Sequence, residues 1–175
     1  MSTDYPSYPD ESARAEPTAH DAGTQQPPSI RTAVTLMRVG AVISALSLIV
    51  GLLTLGALKD EVRLQLDDSG TNFSQSDLDA AFKVAVAVII ILGLIGVALW
   101  LWMASANGKG KKWARVVATI LAVMNVLSLL YALSAGTQTV VSTLLGIASV
   151  LVGVAAAVFL YRSDATQYYD ANSRR

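Results

Sequence analysis

The side chains that could carry chemistry are few, and their spacing suits very little of it. The chain has no cysteine, which removes thiol catalysis, disulfides, iron–sulfur ligation and zinc sites built on thiolates. Its single histidine, His20, stands in a polar, proline-rich stretch, where a lone imidazole is solvated and not a ligand. Asp67-Asp68 is the nearest approach to a cation loop, yet it lacks the Asp-x-Asp-x-Asp-Gly alternation that wraps a calcium ion. Gly108-Lys109-Gly110-Lys111 has the composition of a phosphate-cradling loop without its spacing or a preceding strand. Serines are frequent in the apolar runs, but no His or Lys lies among them to act as a base. We therefore expect no enzyme, no catalytic or metal-binding residues and no cofactor.

What remains is electrostatic. Asn107-Gly108-Lys109-Gly110-Lys111-Lys112-Trp113-Ala114-Arg115 is a short basic turn between two long apolar runs. Lys109, Lys111, Lys112 and Arg115 make it the densest positive charge in the chain, and such charge beside membrane spans marks the cytoplasmic side. It can also contact anionic lipid head groups at about 1 kcal/mol per Lys or Arg near the surface. Trp100, Trp102 and Trp113 surround the same turn, as expected of rings that favour the membrane interface, with an apolar body and a wet N–H.

The elements that hold this turn follow from composition. Of 175 residues, 53% are hydrophobic and 15% charged, against roughly 25% charged in a soluble domain. Lys and Arg balance Asp and Glu at thirteen each, so only their distribution is informative. No basic face accumulates outside the turns, and nucleic acid is excluded as a partner. Four apolar runs, at about 32–58, 82–106, 114–134 and 140–161, are each long enough to cross a bilayer at roughly twenty residues. They are continuous and do not alternate, which excludes a β-barrel. The fold expected is an all-α membrane protein, an antiparallel bundle of four transmembrane helices over residues 31–162.

The flanks are polar. Residues 1–30 hold all five prolines, with Tyr5-Pro6-Ser7-Tyr8-Pro9 and Pro27-Pro28 the densest clusters, and are read as a disordered cytoplasmic tail. The Tyr-Pro pairs offer a docking segment for a membrane or cytoplasmic protein partner, the plainer alternative being a soluble leader. The first run lies too far into the chain, and is too long, to be a cleaved signal. Residues 163–175 are read as a polar cytoplasmic tail. The acidic stretch 59–81 is the one sizeable loop and is assigned to the outside. Leu58, Val62 and Leu66 recur every four residues, so the first helix is expected to run on past the membrane. Ser76-Asp77-Leu78-Asp79 resembles a capping box that starts the second helix in water. With this topology, Arg14, Arg31, Arg38, Lys109, Lys111, Lys112, Arg115, Arg162, Arg174 and Arg175 lie inside, and only Lys59, Arg63 and Lys83 outside. Both termini are thereby placed in the cytoplasm of a plasma-membrane protein.

Lipid is as apolar as leucine, so helices must associate through close packing at small residues. Gly40, Ser44, Ser47, Gly51 and Thr54 form one such seam, and Ser142, Gly146, Ser149, Gly153 and Ala157 another. Gly93 and Gly96 in the second run, with Ala118, Ala122 and Asn125 in the third, give shorter versions. These are read as packing faces within the chain, with a homo-oligomer interface as the alternative. Asn125 is the one strongly polar side chain near the middle of a span, and it needs a Ser, Thr or carbonyl partner on another helix.

Arg31-Thr32-Ala33-Val34, the passage from Trp100-Leu101-Trp102-Met103 into the basic turn, and Tyr161-Arg162 with Tyr168-Tyr169 beyond resemble a group of small actinobacterial membrane proteins. These are similar in having a Pro-rich leader and four spans. The resemblance implies the topology and contributes no activity and no site residues. The function expected is therefore a non-enzymatic interaction or scaffold module. An oligomeric pore or permeability factor, holin-like or a small exporter, is the alternative, as is an accessory subunit of a larger membrane complex.

Overall fold

A computed structural model describes residues 25–70, 72–136 and 139–172. The tail up to residue 24, including His20, Arg14 and the Tyr-Pro pairs, lies outside the described residues, as do Thr137-Gln138 and Arg174-Arg175. Among the described residues every regular element is helical: α1 (Pro28–Leu53), α2 (Leu55–Asp68), α3 (Gln75–Gly108), α4 (Lys112–Ala135), α5 (Val140–Leu160) and α6 (Ser163–Asn172). Four of them, α1, α3, α4 and α5, are long and apolar enough to cross a membrane.

Three boundaries depart from the sequence reading, each for a local reason. Proline is accommodated in the first turn of a helix, where its missing N–H is not needed, so α1 begins at Pro28. That helix does not run on unbroken past the membrane. At Thr54 the backbone leaves helical geometry, at φ −105° and ψ 25°, and the Thr54 hydroxyl donates back to the carbonyls of Val50, at 3.0 Å, and Gly51, at 3.2 Å. The chain resumes as α2, whose Val62 is buried while Asp67 and Asp68 are exposed at its far end. The second helix is capped two residues earlier than expected. Ser74 Oγ accepts from the Asp77 amide at 3.3 Å, and an Asp77 carboxylate oxygen accepts from the Ser74 amide at 2.8 Å. Ser74 and Ser76 both head a Ser-x-x-Asp sequence, and the earlier one closes the reciprocal pair.

At 34 residues and about 1.5 Å per residue, α3 is about 51 Å long, well beyond a hydrocarbon core of about 30 Å. Its first turns run beside α2. There Lys59 Nζ meets Asp79 at 2.8 Å and lies 5.7 Å from the Phe82 ring.

α1 is the central helix, packed against α3 on one side and α5 on the other, and α4 packs on α5. α3 and α4 are consecutive and antiparallel, yet they touch only sparsely. The buried core gathers at one end of the bundle, around Ile30, Ala33, Met37, Met103, Ala104, Ala114, Ala156, Leu160, Ala165 and Tyr169. Elsewhere large apolar side chains face outward on all four long helices: Val42 is 60% exposed, Leu92 61%, Leu130 57% and Leu144 61%. Water does not tolerate apolar surface on this scale, and lipid does. The molecule is a multi-pass helical bundle of membrane type.

Candidate functional site

The basic turn is built by α3's own ending. Gly110 adopts φ 68°, and the Gly110 amide bonds the Asn107 carbonyl at 3.0 Å while the Lys111 amide reaches the Ala106 carbonyl at 3.3 Å. This double closure is a Schellman motif, which needs a residue in the left-handed region at its centre. It leaves the Gly108 carbonyl without an intrahelical partner. Two side chains from distant parts of the chain supply one: Gln26 Nε2 and the Tyr168 hydroxyl each donate to it at 2.8 Å.

Next to that carbonyl Asn107 is completely buried. Its amide nitrogen donates to the Met103 carbonyl at 2.9 Å and lies 3.8 Å from the Met37 sulfur. Its oxygen accepts from the Tyr169 hydroxyl at 2.7 Å. A polar group buried so deeply must be bonded, and here donor and acceptor both are. Tyr168 and Tyr169 come from α6, the stretch read from sequence as a polar tail. That expectation is corrected: α6 folds across the end of the bundle with Ala165, Tyr168 and Tyr169 buried. The spacing of those three residues, three then one, is the helical signal available in the sequence.

Other contacts lock this end. The Ser29 amide donates to Asp164 Oδ2 at 3.3 Å, so a residue of α6 caps a helix whose own N-cap, Pro27, has no side-chain oxygen. Hydrogen bonding from Ser29 holds the Asp164 carboxyl below its ordinary value, and burial pushes the phenols of Tyr168 and Tyr169 upward. Arg115 turns toward α6, with Nη1 3.1 Å from Thr166 Oγ1 and its guanidinium 4.4 Å from the Tyr161 ring and 5.7 Å from that of Tyr169. Lys112 pairs with Asp170 at 2.7 Å. Lys109 and Lys111 are exposed, as are Arg31, Arg38 and Arg162 around the same end. Of the four cations read together from sequence, two are thus engaged by α6 and two face outward.

The three tryptophans also divide. Trp102 and Trp113 are 53% and 42% exposed, with ring centroids 5.4 Å apart. Trp100 turns inward. A Cβ placed on Gly40 would lie 2.7 Å from three carbons of its indole, and one on Gly153 would lie 3.5 Å from the far edge of the ring. The indole is wedged between α1 and α5, each of which leaves room for it with a glycine. Other glycines also face large side chains of a neighbouring helix: Gly93 faces Leu48, Gly51 faces Ile89 and Gly146 faces Leu129.

Beside Trp100 the four long helices line a partly open cavity of about 220 Å³. Met37 and Ser44 line it from α1, Gly96, Leu99, Trp100 and Met103 from α3, Ala118, Leu121, Ala122 and Asn125 from α4, and Ser149, Gly153, Ala156 and Ala157 from α5. Asn125 donates from its amide nitrogen to Ser149 Oγ at 3.0 Å, across α4 and α5. This is the interhelical bond its position in the span demands. A Cβ placed on Gly96 would meet nothing within 4 Å, so this position borders open space. Among the described residues no group of three or more His, Cys, Asp or Glu side chains is placed to hold a metal ion.

Sequence reasoning singled out Asn125 and most of the small residues above, and missed Gln26, Asn107, Asp164, Tyr168 and Tyr169 as participants. Asn107 stood in the quoted turn without a role, because nothing local shows that α6 will bury it. No family model, no curated protein and no solved structure matches the chain.

Proposed function

We propose that this chain is a non-enzymatic integral protein of a plasma membrane, with both termini and the basic turn in the cytoplasm, acting as an interaction or scaffold module. The observation that carries the reading is the locked basic end. A fully buried Asn107 bonded to Tyr169 ties α6 to the turn and makes a stiff platform from which Lys109 and Lys111 project. Preorganised surfaces bind with less loss of conformational freedom than mobile ones. Exposed Arg31, Arg38, Lys109, Lys111 and Arg162 surround the platform and suit anionic lipid, which would hold it against the inner leaflet. Residues 1–30 lead into this end, and a protein partner reached through them would meet the basic turn.

A pore made by oligomerisation would need a continuous wettable path. Among the described residues the polar side-chain bonds between spans are Asn125–Ser149, near their middle, and Thr119–Tyr161, at the end near the basic turn; two separated pairs do not make such a path, which supports the interaction reading over the pore. The absence of cysteine makes a direct test simple. A photo-crosslinker attached to Lys109→Cys or Lys111→Cys in native membranes should give a discrete protein adduct, and the same reagent on Leu130→Cys should give lipid adducts only. Lipid adducts alone from all three positions would dismiss the platform reading.

A further inference from the structure

We infer that the cavity among α1, α3, α4 and α5 is a binding site for an uncharged lipophile carrying one hydroxyl or carbonyl group. The inference uses the membrane placement of the bundle and is independent of the cytoplasmic platform. Size is the first argument. An apolar cavity of about 150 Å³ takes up benzene and stays dry otherwise; this one is about 220 Å³, enough for a substituted ring or a short branched chain. Its chemistry is the second. The lining side chains are apolar except for Asn125, Ser149, Ser44 and the indole N–H of Trp100. Asn125 spends one amide hydrogen on Ser149, and an amide has a second hydrogen and an acceptor oxygen to offer. One hydrogen-bonding group on the guest matches this; a charged guest has no counter-ion, since the lining holds no Asp, Glu, Lys, Arg or His. Trp100 and Met103 supply an indole and a thioether, which favour an aromatic guest.

Access is the third argument. α3 and α4 are the two neighbours in sequence that pack sparsely, and both contribute to the lining. Their outward side chains, such as Leu92 and Leu127, are exposed for lipid. A guest dissolved in the bilayer can therefore pass between α3 and α4 without crossing a polar barrier. The same chemistry fits a hydroxyl-bearing membrane lipid and a free small lipophile, and the experiment separates them.

Only three tryptophans are present, so the double variant Trp102→Phe/Trp113→Phe leaves Trp100 as the sole indole fluorophore. Titration of this full-length protein in liposomes with 4-bromophenol, a heavy-atom quencher, should give saturable quenching. Bromobenzene, which lacks the hydroxyl, should bind about fivefold more weakly, the value of one hydrogen bond. Gly96→Leu fills open space with a good helix former, so it should fold and abolish the saturable component. Asn125→Leu should erase the preference for the phenol. Quenching that rises linearly with probe partitioned into the lipid would overturn the site, as would saturation unchanged by Gly96→Leu in a protein that melts normally. Native mass spectrometry then names the source. A lipid that co-purifies and is displaced by 4-bromophenol identifies a membrane lipid as the guest, and direct uptake of the phenol by lipid-free protein identifies a free lipophile.

Discussion

At the scale of single residues, the basic end is held by groups that would be costly to leave unpaired. Tyr169→Phe keeps the ring and removes the hydroxyl, stranding the fully buried oxygen of Asn107. An unsatisfied buried acceptor costs about 1–3 kcal/mol, and thermal unfolding in detergent should show a loss of that size. Gly110 and Gly136 share φ 68°, which makes them a matched pair. A side chain on Gly136 meets nothing within 4 Å, whereas one on Gly110 would sit 2.9 Å from Tyr168 and 3.0 Å from Asn172. Gly136→Ala should cost about 1 kcal/mol, the left-handed penalty alone, and Gly110→Ala clearly more, with the excess reporting how firmly α6 is seated. Asp164 gives a pH dependence. Its carboxyl is held low by Ser29, so its contribution is present above the ordinary aspartate value of about 4 and is lost as pH falls through the lower folded value. The melting temperatures of the parent protein and Asp164→Asn should differ at pH 7 and converge as the pH is lowered past 4.

Among the elements, α6 changes the account most. It is short, and its sequence, Ser-Asp-Ala-Thr-Gln-Tyr-Tyr-Asp-Ala-Asn, is polar overall. Helices of this length are marginal on their own in water, so α6 owes its order to the bundle end it covers. A chain ending at Arg162 would lose the Tyr169 donor to the Asn107 oxygen, one of the two donors to the Gly108 carbonyl and the Asp164 acceptor of the Ser29 amide together. Local openings that precede proteolysis should then become frequent around the turn. Trypsin cleavage at Lys109–Lys112 should accelerate at least tenfold in the truncated protein, and an unchanged rate would mean that α3 and α4 hold the turn without help. α2 is a contrasting case. It is tied to α3 by the Lys59–Asp79 pair, whose side chains are 41% and 45% exposed, and exposed pairs contribute little. Lys59→Ala is expected to leave the melting temperature nearly unchanged.

For the whole molecule, the start of α1, the basic turn and α6 share one end of the bundle, as the contacts from Gln26 and Asp164 require, while α2 and the start of α3 occupy the other. The proposed orientation puts the first end inside. Single cysteines at Ser69 and Lys109 decide it: an impermeant maleimide should label Ser69→Cys in intact cells and Lys109→Cys only after permeabilisation.

How much of this was legible before folding depends on the range over which the information acts. Four apolar runs, the uneven distribution of Lys and Arg, and the lack of cysteine or of Asp, Glu, Lys, Arg or His near the middle of the spans are properties of local composition, and local composition decides whether a segment enters a bilayer and which end stays in water. The need for a partner at Asn125 was equally readable, because an amide in hydrocarbon has few alternatives. The small-residue seams marked packing faces in advance; which helix each face would meet was not legible. Helices that are apolar all round carry little amphipathic signal, and lipid competes on equal terms with a neighbouring helix for every leucine. Only the assembled bundle decides that α1 is central, that Trp100 enters between Gly40 and Gly153 while Trp102 and Trp113 face outward, and that α3 and α4 part to leave a cavity. The capping of α1 by Asp164 joins residues 135 positions apart. No local pattern encodes that contact, because it exists only once five helices have brought the starts of α1 and α6 to the same place.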